Sequence, residues 1–418
     1  MDIVKRKKWL FVIIIFLSIS NNIHSFAQTL SPEMVTKNVA KKAINATLHQ
    51  FVNTKSKAKV YLQEANIING DVRVESAYDR WEYVNGVFTM GLVRMAKVFQ
   101  DTQYINYANA NYAFIFKNLP LFKKAYEQKE HSEWEAFYRM DRLDDCGAIA
   151  AGLADLMYLQ KNKNYDDYLK RTADYILAKQ SRLKDGTLSR KEPHNMTIWA
   201  DDLFMSVPFL ARMGKYTGEQ KYFDDAIKQV QNFNKYLFDN ASGLYWHCWY
   251  QPEKTNGVSH WLRCNGWVAM AQVELLDCLP KTHPKRKVLI DLLQRQITGF
   301  SRYQDITGLW HQVIDRQDSY LETSGTAMFI YAVAKAVNEG WVNASYLSIA
   351  KNGWQGLTEK ITSDGQVQDV CVGTNIGDDI KFYLTRPKKL NDNHAIGAVL
   401  LAGTEMHRVT LIEKKHMR

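Results

Sequence analysis

The segment EQKYFDDAIKQVQNFNKYLFDNASGLYWHCW, residues 219–249, decides the fold. Its first half carries apolar side chains with the spacing of one helix face. These are Tyr222, Phe223, Ala226, Ile227, Val230 and Phe233. A glycine turn follows at Gly243 and leads into a loop rich in aromatic residues. One unit of the fold is therefore a helix followed by a glycine turn and a polar, aromatic loop.

Both parts of this segment recur along the chain about every sixty residues. The turn glycines are Gly186, Gly243, Gly308 and Gly365, which are 57, 65 and 57 residues apart. The tyrosines that open the helical parts are Tyr104, Tyr165, Tyr222 and, two periods later, Tyr346. The segments that precede the glycine turns also have helical spacing. One period therefore contains two helices, which form an αα-hairpin. The 391 residues after position 27 hold about six such hairpins.

Six hairpins can close into a toroid, so the sequence predicts an all-α fold, an (α/α)6 barrel of six helical hairpins. A helical solenoid is the alternative, but it needs polar capping repeats, and we identify none. A chain with 12% aromatic residues, only 22 Gly and 8 Pro also favours helices over an all-β fold. Because each hairpin packs on its neighbours, residues 28–418 are predicted to form one catalytic domain despite their length.

Residues 1–27 have the pattern of a secretory signal peptide. Four basic residues, Lys5 to Lys8, precede an apolar run from Trp9 to Ile19, and Ser25-Phe26-Ala27 follows. An uncleaved anchor is the alternative, but the run is shorter than the ~20 residues of a spanning helix. We therefore expect an exported, periplasmic protein with no stable membrane insertion after cleavage. Removing the four cations and one aspartate of this segment lowers the formal charge from +10 to +7.

The remaining charge and the cysteines exclude several classes of protein. Basic residues are spread along the chain without an aromatic, Lys/Arg-rich block, so no nucleic-acid partner is expected. The five cysteines form no CxxC pair, which argues against a zinc site or a disulfide framework. No nucleotide or flavin motif is present, and we expect neither a metal nor a cofactor.

Loops at one end of the inner helices of such a ring would converge on a common site. Trp, Tyr, His, Arg and carboxylates are concentrated in the segments 80–87, 138–148, 190–205, 243–249, 259–271, 308–324 and 391–394. Aromatic faces stack on sugar rings, cations meet acidic substituents and carboxylates transfer protons, so this composition favours carbohydrate chemistry. Oligosaccharides with an acidic group are the expected partners.

Each of these side chains also has a structural interpretation. Asp144 and Asp145 precede a helix that begins near Gly147, where an aspartate is often only a cap. Asp201 and Asp202 precede another apolar run and are open to the same interpretation. Arg263 and Trp267 are four residues apart and would share a helix face as a simple stack. His247 by itself fits a buried structural histidine.

Several motifs, taken in order, resemble one family of glycosidases. They are WADDLFMSVPF (199–209), GLYWHCW (243–249), WLRCNGWVAMA (261–271), SYLETSGTAMF (319–329), VCVGT (370–374) and NDNH (391–394). From about Arg80 to Glu405 the chain resembles the glycoside hydrolases of family 105, the unsaturated rhamnogalacturonyl hydrolases, which are related to the family 88 unsaturated glucuronyl hydrolases. That resemblance implies an (α/α)6 barrel, in agreement with the repeat count.

The resemblance also implies the reaction. Such enzymes remove a 4,5-unsaturated uronic acid from the non-reducing end of lyase-generated oligosaccharides, here of the rhamnogalacturonan type. An aspartate protonates C4 of the vinyl ether, water adds at C5, and the hemiketal opens and expels the remaining sugar. The alternatives are a glucuronyl hydrolase acting on fragments of ulvan, arabinogalactan or glycosaminoglycan, and a non-catalytic sugar-binding protein on the same fold.

Matching the family motifs implies roles for individual residues. Asp201 is the implied catalytic acid and Asp144 the second functional carboxylate, although Asp145 next to it leaves that register open. The implied substrate-binding residues are Tyr83, Lys191, His247, Arg263 and Trp267, with His394 also on a motif. Arg263 or Lys191 is expected to bind the uronate carboxylate, and Trp267 to stack on the sugar. A nearby negative charge is expected to raise the pKa of Asp201.

Overall fold

The computed structural model describes residues 31–61 and 71–417, and helices dominate it. The signal peptide predicted at residues 1–27 lies outside these ranges. The helices are α1 (Pro32–Asn45), α2 (Tyr83–Phe99), α3 (Gln103–Glu127), α4 (Glu135–Arg139), α5 (Gly147–Leu159), α6 (Lys163–Asp174), α7 (Val207–Thr217), α8 (Gln220–Leu237), α9 (Leu262–Cys278), α10 (Arg286–Ser301), α11 (Thr323–Asn338), α12 (Leu347–Thr358), α13 (Ile380–Leu384) and α14 (Asn393–His416).

Two kinds of long helix follow from two kinds of sequence. In α8 only the apolar face predicted from Tyr222 to Phe233 is buried, together with Gln229 and Leu237. In α11 every residue from Thr323 to Ala336 is buried. A helix that is apolar on one side lies at the surface, whereas one that is apolar all round lies inside. The sequence thus sorts the helices into an outer and an inner layer.

The inner layer is a closed ring of six helices. Helices α2, α5, α7, α9, α11 and α14 contact one another in this order, and α14 returns to α2. Each packs on one outer helix, giving the pairs α2/α3, α5/α6, α7/α8, α9/α10, α11/α12 and α14/α1. The predicted (α/α)6 barrel is confirmed. Its sixth pair is formed by the first and last described helices and not by a consecutive hairpin.

The four turn glycines explain the repeat in the sequence. Gly186, Gly243, Gly308 and Gly365 all have φ between 74° and 87°, a left-handed conformation that glycine adopts without strain. Each turn follows an outer helix and lies against the next outer helix along the ring. A Cβ at Gly308 would stand 2.0 Å from the carbonyl oxygen of Asn352 in α12, and one at Gly365 would stand 2.3 Å from that of Asn38 in α1. The fourth turn therefore joins the last hairpin to α1 and closes the ring.

All six inner helices begin at the same end of the barrel, here called the mouth. Tyr83 at the start of α2 contacts His394 at the start of α14, and Arg263 at the start of α9 contacts Ser324 at the start of α11. The opposite end, where these helices finish, is called the floor. Helix α14 is long and apolar enough to cross a membrane, but 72% of its apolar window is buried within the barrel.

Short antiparallel strands connect the loops at the mouth. They are β1 (Phe51–Asn53), β2 (Lys59–Val60), β3 (Val72–Val74), β4 (Thr197–Trp199), β5 (Phe238–Asp239), β6 (Leu244–Tyr245), β7 (Cys248–Tyr250), β8 (Thr255–Asn256), β9 (Trp310–His311), β10 (Leu321–Glu322), β11 (Val370–Cys371) and β12 (Lys388–Lys389). They form sheets of two or three strands, of which β4-β7-β8 positions the candidate site. The assignment of residues 28–418 to one domain stays a prediction.

Candidate active site

Strand pairing at the mouth brings two distant motifs together. Strand β4 pairs with β7 so that Trp199 lies opposite Cys248. Asp201, two residues beyond β4, and His247, the residue before β7, thereby become neighbours. Oδ2 of Asp201 lies 3.0 Å from Nε2 of His247, within ion-pair distance. Both residues are buried, with His247 fully so.

The two atoms are close but are not aligned for a hydrogen bond. Asp201 Oδ2 and His247 Nε2 are both buried atoms without a hydrogen-bond partner among the described residues. The other ring nitrogen of His247, Nδ1, lies 2.8 Å from the hydroxyl of Tyr383, and the ring packs against Trp261. The imidazole is thus held in place while the carboxylate beside it keeps hydrogen-bonding capacity for another group. Such an unsatisfied buried atom is unusual and marks a functional position.

A second pair of aspartates shares one arginine. Arg190 binds Asp202 through Nε at 3.1 and 3.0 Å and through Nη2 at 2.6 Å. Its Nη1 lies 2.9 Å from Oδ2 of Asp144. The guanidinium also lies 4.0 Å from the ring centroid of Trp199, a cation–π contact. Asp144, Arg190, Asp201, Asp202 and His247 are called the mouth cluster below.

The structure distinguishes Asp144 from Asp145. The carboxylate of Asp145 accepts hydrogen bonds from Arg139 and from the backbone of Asp141, away from the mouth cluster. Asp144 faces Arg190 instead. Neither aspartate caps α5, whose N-cap position is Cys146 with no side-chain hydrogen bond. Asp144 is therefore the member of the pair that joins the mouth cluster.

In the mouth cluster the raised pKa belongs to Asp202, whereas the sequence led us to expect it at Asp201. Burial, together with the charges of Asp144 and Asp201, outweighs Arg190 and raises the pKa of Asp202 to about 6. Burial also acts to raise the pKa of Asp201, but His247, Arg190 and Arg263 hold it below its ordinary value. The expectation of a raised pKa at Asp201 is wrong for the unliganded protein. His247, Arg190 and Arg263 all act to lower the pKa of Asp201, whereas of these three Arg190 acts on Asp202.

Tyr83 takes part in a hydrogen-bonded chain across the mouth. Its hydroxyl lies 2.7 Å from Nε2 of His394, and Nδ1 of that ring contacts the carboxylate of Asp392. Burial and the charge of Arg263 lower the pKa of His394. His394 then donates Nδ1–H to Asp392 and accepts at Nε2 from Tyr83. The phenol oxygen of Tyr83 keeps its lone pairs for a ligand or water.

Arg263 and Trp267 are both buried, with exposed fractions of 1%. Arg263 donates to the carbonyl oxygens of Cys371 and Val372 at 2.6 and 2.7 Å. Trp267 packs against Phe204 with ring centroids 4.7 Å apart and against the edge of Tyr83. Trp267 therefore supports the base of the site and offers no open face for the expected sugar stacking.

Lys191 lies outside the mouth cluster. Arg190 pairs with Thr197 through two backbone hydrogen bonds of an extended segment, and successive side chains of such a segment point to opposite sides. Arg190 points into the mouth cluster, whereas Lys191 is exposed. The side chain of this segment that meets the aspartates is thus Arg190 and not Lys191, which was expected to line the uronate site.

Sequence reasoning missed four participants: Arg190, Asp202 as a titrating group, Asp392 and Tyr383. The motif 391–394 contained Asp392, which contacts His394, but Tyr83, the other partner of His394, lies 311 residues away in the chain. Tyr383 lies on α13, a short helix with no repeat or motif signal. In the described ranges no group of three or more His, Cys, Asp or Glu side chains is arranged to hold a metal. The expected absence of a cofactor stays a prediction.

The barrel itself adds a favourable field for anions at the mouth. The amino end of a helix carries about half a positive charge, and all six inner helices present this end to the mouth. Unpaired backbone N–H groups at helix starts bind anions for the same reason. The fold and the cations Arg190 and Arg263 therefore both favour an acidic ligand.

Comparison with known proteins agrees with this site. The profile of Glycosyl Hydrolase Family 88 matches residues 52–410. The chain is 30% identical over 244 residues to the unsaturated rhamnogalacturonyl hydrolase YesR of Bacillus subtilis, covering 56% of this chain and 69% of that protein. It is 31% identical over 216 residues to an unsaturated 3S-rhamnoglycuronyl hydrolase of Alteromonas sp., and this match spans half of each chain.

A solved structure extends the likeness to the whole fold. The crystal structure of a possible member of family GH105 from Klebsiella pneumoniae has a TM-score of 0.76 and 24% identity. The match covers 93% of this chain and 95% of that one. The resemblance seen in the sequence motifs is confirmed by these three matches and the family profile.

Proposed function

The chain belongs to glycosyl hydrolase family 88, and from this premise we propose that it removes a 4,5-unsaturated uronic acid from the non-reducing end of lyase-generated oligosaccharides of the rhamnogalacturonan type. The observation that carries the proposal is Asp201 Oδ2, a buried carboxylate oxygen at the mouth without a hydrogen-bond partner. A proton-transfer group needs such a free atom within reach of the reacting carbon. The fixed partners of Asp144, Asp202 and Tyr83 leave Asp201 as the proton donor.

The reaction that we propose is hydration followed by ring opening. Asp201 gives its proton to C4, and the electrons of the C4=C5 bond form the new C4–H bond. Water attacks C5, and its proton returns to the Asp201 carboxylate. The resulting C5 hemiketal opens to a ketone, and the C1 hemiacetal then expels the remaining sugar. Every atom of water appears in the products, and no oxidant or reductant is required.

Substrate binding would give Asp201 the proton that the free protein lacks. A uronate carboxylate entering the site brings a like charge towards Asp201 and engages the cations that hold its pKa down. Both effects raise the pKa of a carboxylic acid. The acid would therefore be loaded in the complex, and the carboxylate released after transfer would be stabilised again by His247.

The type of oligosaccharide rests on the relatives. YesR of Bacillus subtilis is named for an unsaturated rhamnogalacturonyl substrate. The relative from Alteromonas is named for an unsaturated 3S-rhamnoglycuronyl substrate, which supports a second candidate among glycuronyl oligosaccharides. A non-catalytic sugar-binding protein would not need a buried carboxylate oxygen without a hydrogen-bond partner at Asp201, because leaving such an atom unsatisfied is costly.

We further propose that the enzyme is exported to the periplasm, where such oligosaccharides would reach it. The support is the basic and apolar pattern of residues 1–27. Fractionation of cells that express the full chain, with detection of the processed protein, tests this proposal. Retention of an unprocessed chain in the cytoplasm would contradict it.

Asp201→Asn tests the activity directly. The conjugated double bond of an unsaturated rhamnogalacturonan disaccharide absorbs in the ultraviolet, and the wild-type protein should remove this absorbance. We expect Asp201→Asn to lower kcat by about 10³-fold or more, because an amide cannot supply the proton. A panel with glucuronyl disaccharides distinguishes the second candidate. If the wild-type protein leaves every unsaturated substrate intact, the proposed function is wrong.

A further inference from the structure

A cavity of about 450 Å³ lies at the mouth beside the mouth cluster and is called the side cavity below. Its walls come from the loop before Asp144 and from the loop that carries Arg190. The volume is within the range of small-molecule sites. Because the guanidinium of Arg190 lines the side cavity and also binds Asp202 and Asp144, the side cavity and the mouth cluster share this wall.

One wall of the side cavity is held in a fixed shape. Tyr175 donates a hydrogen bond to Gln180 at 2.6 Å, and Gln180 donates to the carbonyl oxygen of Ser189 at 2.6 Å. Tyr175 and Gln180 are both buried. Met140 adds apolar surface on the facing loop. A cavity with a preformed polar and apolar wall suits one or more sugar rings.

The lining of the side cavity also carries charged groups without an ion-pair partner. Lys179 and Lys191 both line the side cavity and both are exposed. In residues 31–61 and 71–417 neither lysine forms an ion pair with a carboxylate, whereas Arg190 is fully engaged by the mouth cluster. Arg142, a further cation of the lining, is paired with Asp141. Glu192 also lines the side cavity and forms no ion pair in the described ranges, so the unpaired charges of the lining are two ammonium groups and one carboxylate.

We propose that the side cavity is a subsite for a second acidic group of the substrate, held by Lys179 and Lys191 on a sugar beyond the unsaturated uronate. This inference rests on the proposed function, because it extends the substrate outward from Asp201 through the wall formed by Arg190. It gives Lys191 an anion to bind, but a different one from the uronate carboxylate at the reacting end.

The chemistry of lysine defines the ligand as an anion and leaves its geometry open. An ammonium group is a point charge with three rotatable donors and does not require the planar, bidentate partner that an arginine prefers. A carboxylate and a sulfate ester both meet this requirement. The preferred substrates are thus oligosaccharides with acidic groups on more than one sugar.

The test compares substrates that differ in one acidic group. An unsaturated disaccharide has only the carboxylate at the reacting end. Unsaturated tetrasaccharides are prepared with a second uronate, with that uronate as its methyl ester, and with a sulfate in its place. The double variant Lys179→Met/Lys191→Met is assayed beside Lys184→Met, an exposed lysine of the same region that does not line the side cavity.

For the double variant we expect kcat/KM to fall about tenfold on the acidic tetrasaccharide and less than twofold on the disaccharide and the methyl ester, since charge-assisted contacts of this kind are worth about this factor. The sulfated substrate shows which anion the subsite prefers. Lys184→Met should change no substrate by more than twofold. Equal losses on all substrates, or none on the acidic ones, would overturn the proposal.

Measurements of binding affinity test the subsite independently of the proposed reaction. The Kd of the acidic tetrasaccharide is measured by calorimetry with Asp201→Asn, with and without the two lysine substitutions. Weakening of about tenfold by the lysine substitutions supports the subsite even if the wild-type protein leaves the disaccharide intact, a result that would reject only the proposed reaction. Unchanged affinity for the acidic tetrasaccharide rejects the subsite even if the disaccharide is cleaved.

Discussion

The two ends of the barrel each bury a group of charges, and the groups differ in how completely they are paired. At the floor, Arg94, Arg212, Glu274, Asp277 and Lys335 form the floor cluster. Arg212 donates to Glu274 at 2.7 Å, and Asp277 binds Arg94 at 2.7 Å and Lys335 at 2.8 Å. No charged atom of the floor cluster is among the described buried atoms without a partner, whereas Asp201 Oδ2 and His247 Nε2 of the mouth cluster are.

The pKa shifts of the carboxylates also differ between the two clusters, because the balance of charge around them differs. Burial acts to raise the pKa values of Glu274 and Asp277, but their cations outweigh it and lower both. The floor cluster is therefore a set of fixed charges. At the mouth, the pKa of Asp202 is raised to about 6, so a proton can be gained or lost near neutral pH. Within the floor cluster three cations face two carboxylates, whereas at the mouth Asp144 and Asp202 share Arg190.

Removing a charge at the floor should cost stability and leave the chemistry intact. Glu274→Gln leaves Arg212 with Asp155 as its one remaining carboxylate partner and weakens the contacts with Arg94 and Tyr331. Breaking a buried pair in this way typically costs about 3–5 kcal/mol. We expect a clear fall in melting temperature by calorimetry, with kcat per folded molecule unchanged. A loss of kcat without a change in melting temperature would remove the distinction between the two ends.

Asp144→Asn should have the opposite effect. This substitution takes one of two anions from Arg190 and one negative charge from the surroundings of Asp202. We expect kcat to fall about 10²-fold, because the placement of charge in an active site contributes about this much, with little change in melting temperature. Asp145→Asn is the matched control, since its partner is Arg139, and it should lower stability more than kcat. If Asp144→Asn instead lowers the melting temperature and leaves kcat per folded molecule unchanged, the role of Asp144 is purely structural.

The titration of Asp202 should be visible in the stability of the protein. Its pKa is 3.8 in an ordinary environment and about 6 in the folded protein. Between these values the folded state binds more protons than the unfolded state, so stability present at low pH is lost as the pH rises through about 6. The contribution is roughly 1–3 kcal/mol. Urea unfolding is measured at pH 4.5, which lies between the two pKa values, and at pH 7, about one unit above the higher one. Between these pH values the free energy of unfolding should fall less for Asp202→Asn than for the wild type.

The carboxylates of the floor cluster make the opposite contribution, because pKa values that are lowered on folding stabilise at high pH and lose that effect in acid. An identical pH response of the wild type and Asp202→Asn would mean that Asp202 does not titrate with a raised pKa. The measurement thus separates the two ends by the sign of their pH dependence.

Tyr83→Phe should have the smallest effect. It removes the hydroxyl that donates to His394 and whose lone pairs face the mouth. We expect kcat/KM to fall about tenfold, which is the value of one hydrogen bond of about 1.4 kcal/mol. The melting temperature, measured on the same preparation, should stay within about two degrees, since a single hydrogen bond contributes little to the folding of a chain of this size. Unchanged kcat/KM would exclude Tyr83 from the site.

The sequence predicted the ring because local repeats encode it. Each turn glycine lies against the next outer helix, so the interval of about sixty residues measures one step around the barrel. The pair α14/α1 could not be predicted in this way, because its helices begin about 360 residues apart and share no turn. The packing of α1 on α14 and the contact of Gly365 with Asn38 show that α1 fills the last outer position.

The site was predictable where a motif holds the residue and not where its environment decides. Asp201, His247 and Asp144 were named from motifs, and strand pairing and Arg190 bring them together. Lys191 was chosen instead of Arg190 because nothing in the loop sequence reveals which of two adjacent cations points inward. The direction of the pKa shift at Asp201 depends on His247, Arg190 and Arg263, which are far apart in the sequence and which only the folded chain brings together.

The central claim is that Asp201 delivers a proton to C4 of the double bond. The direct test is turnover of an unsaturated disaccharide in D2O, with the first product analysed by NMR before exchange with solvent. Hydration by a fixed acid predicts one deuterium on one face of C4 in each product molecule, and no product with Asp201→Asn. Attack at the anomeric carbon would release the unsaturated sugar, which takes up deuterium in solution on both faces of C4, and that result would contradict the claim.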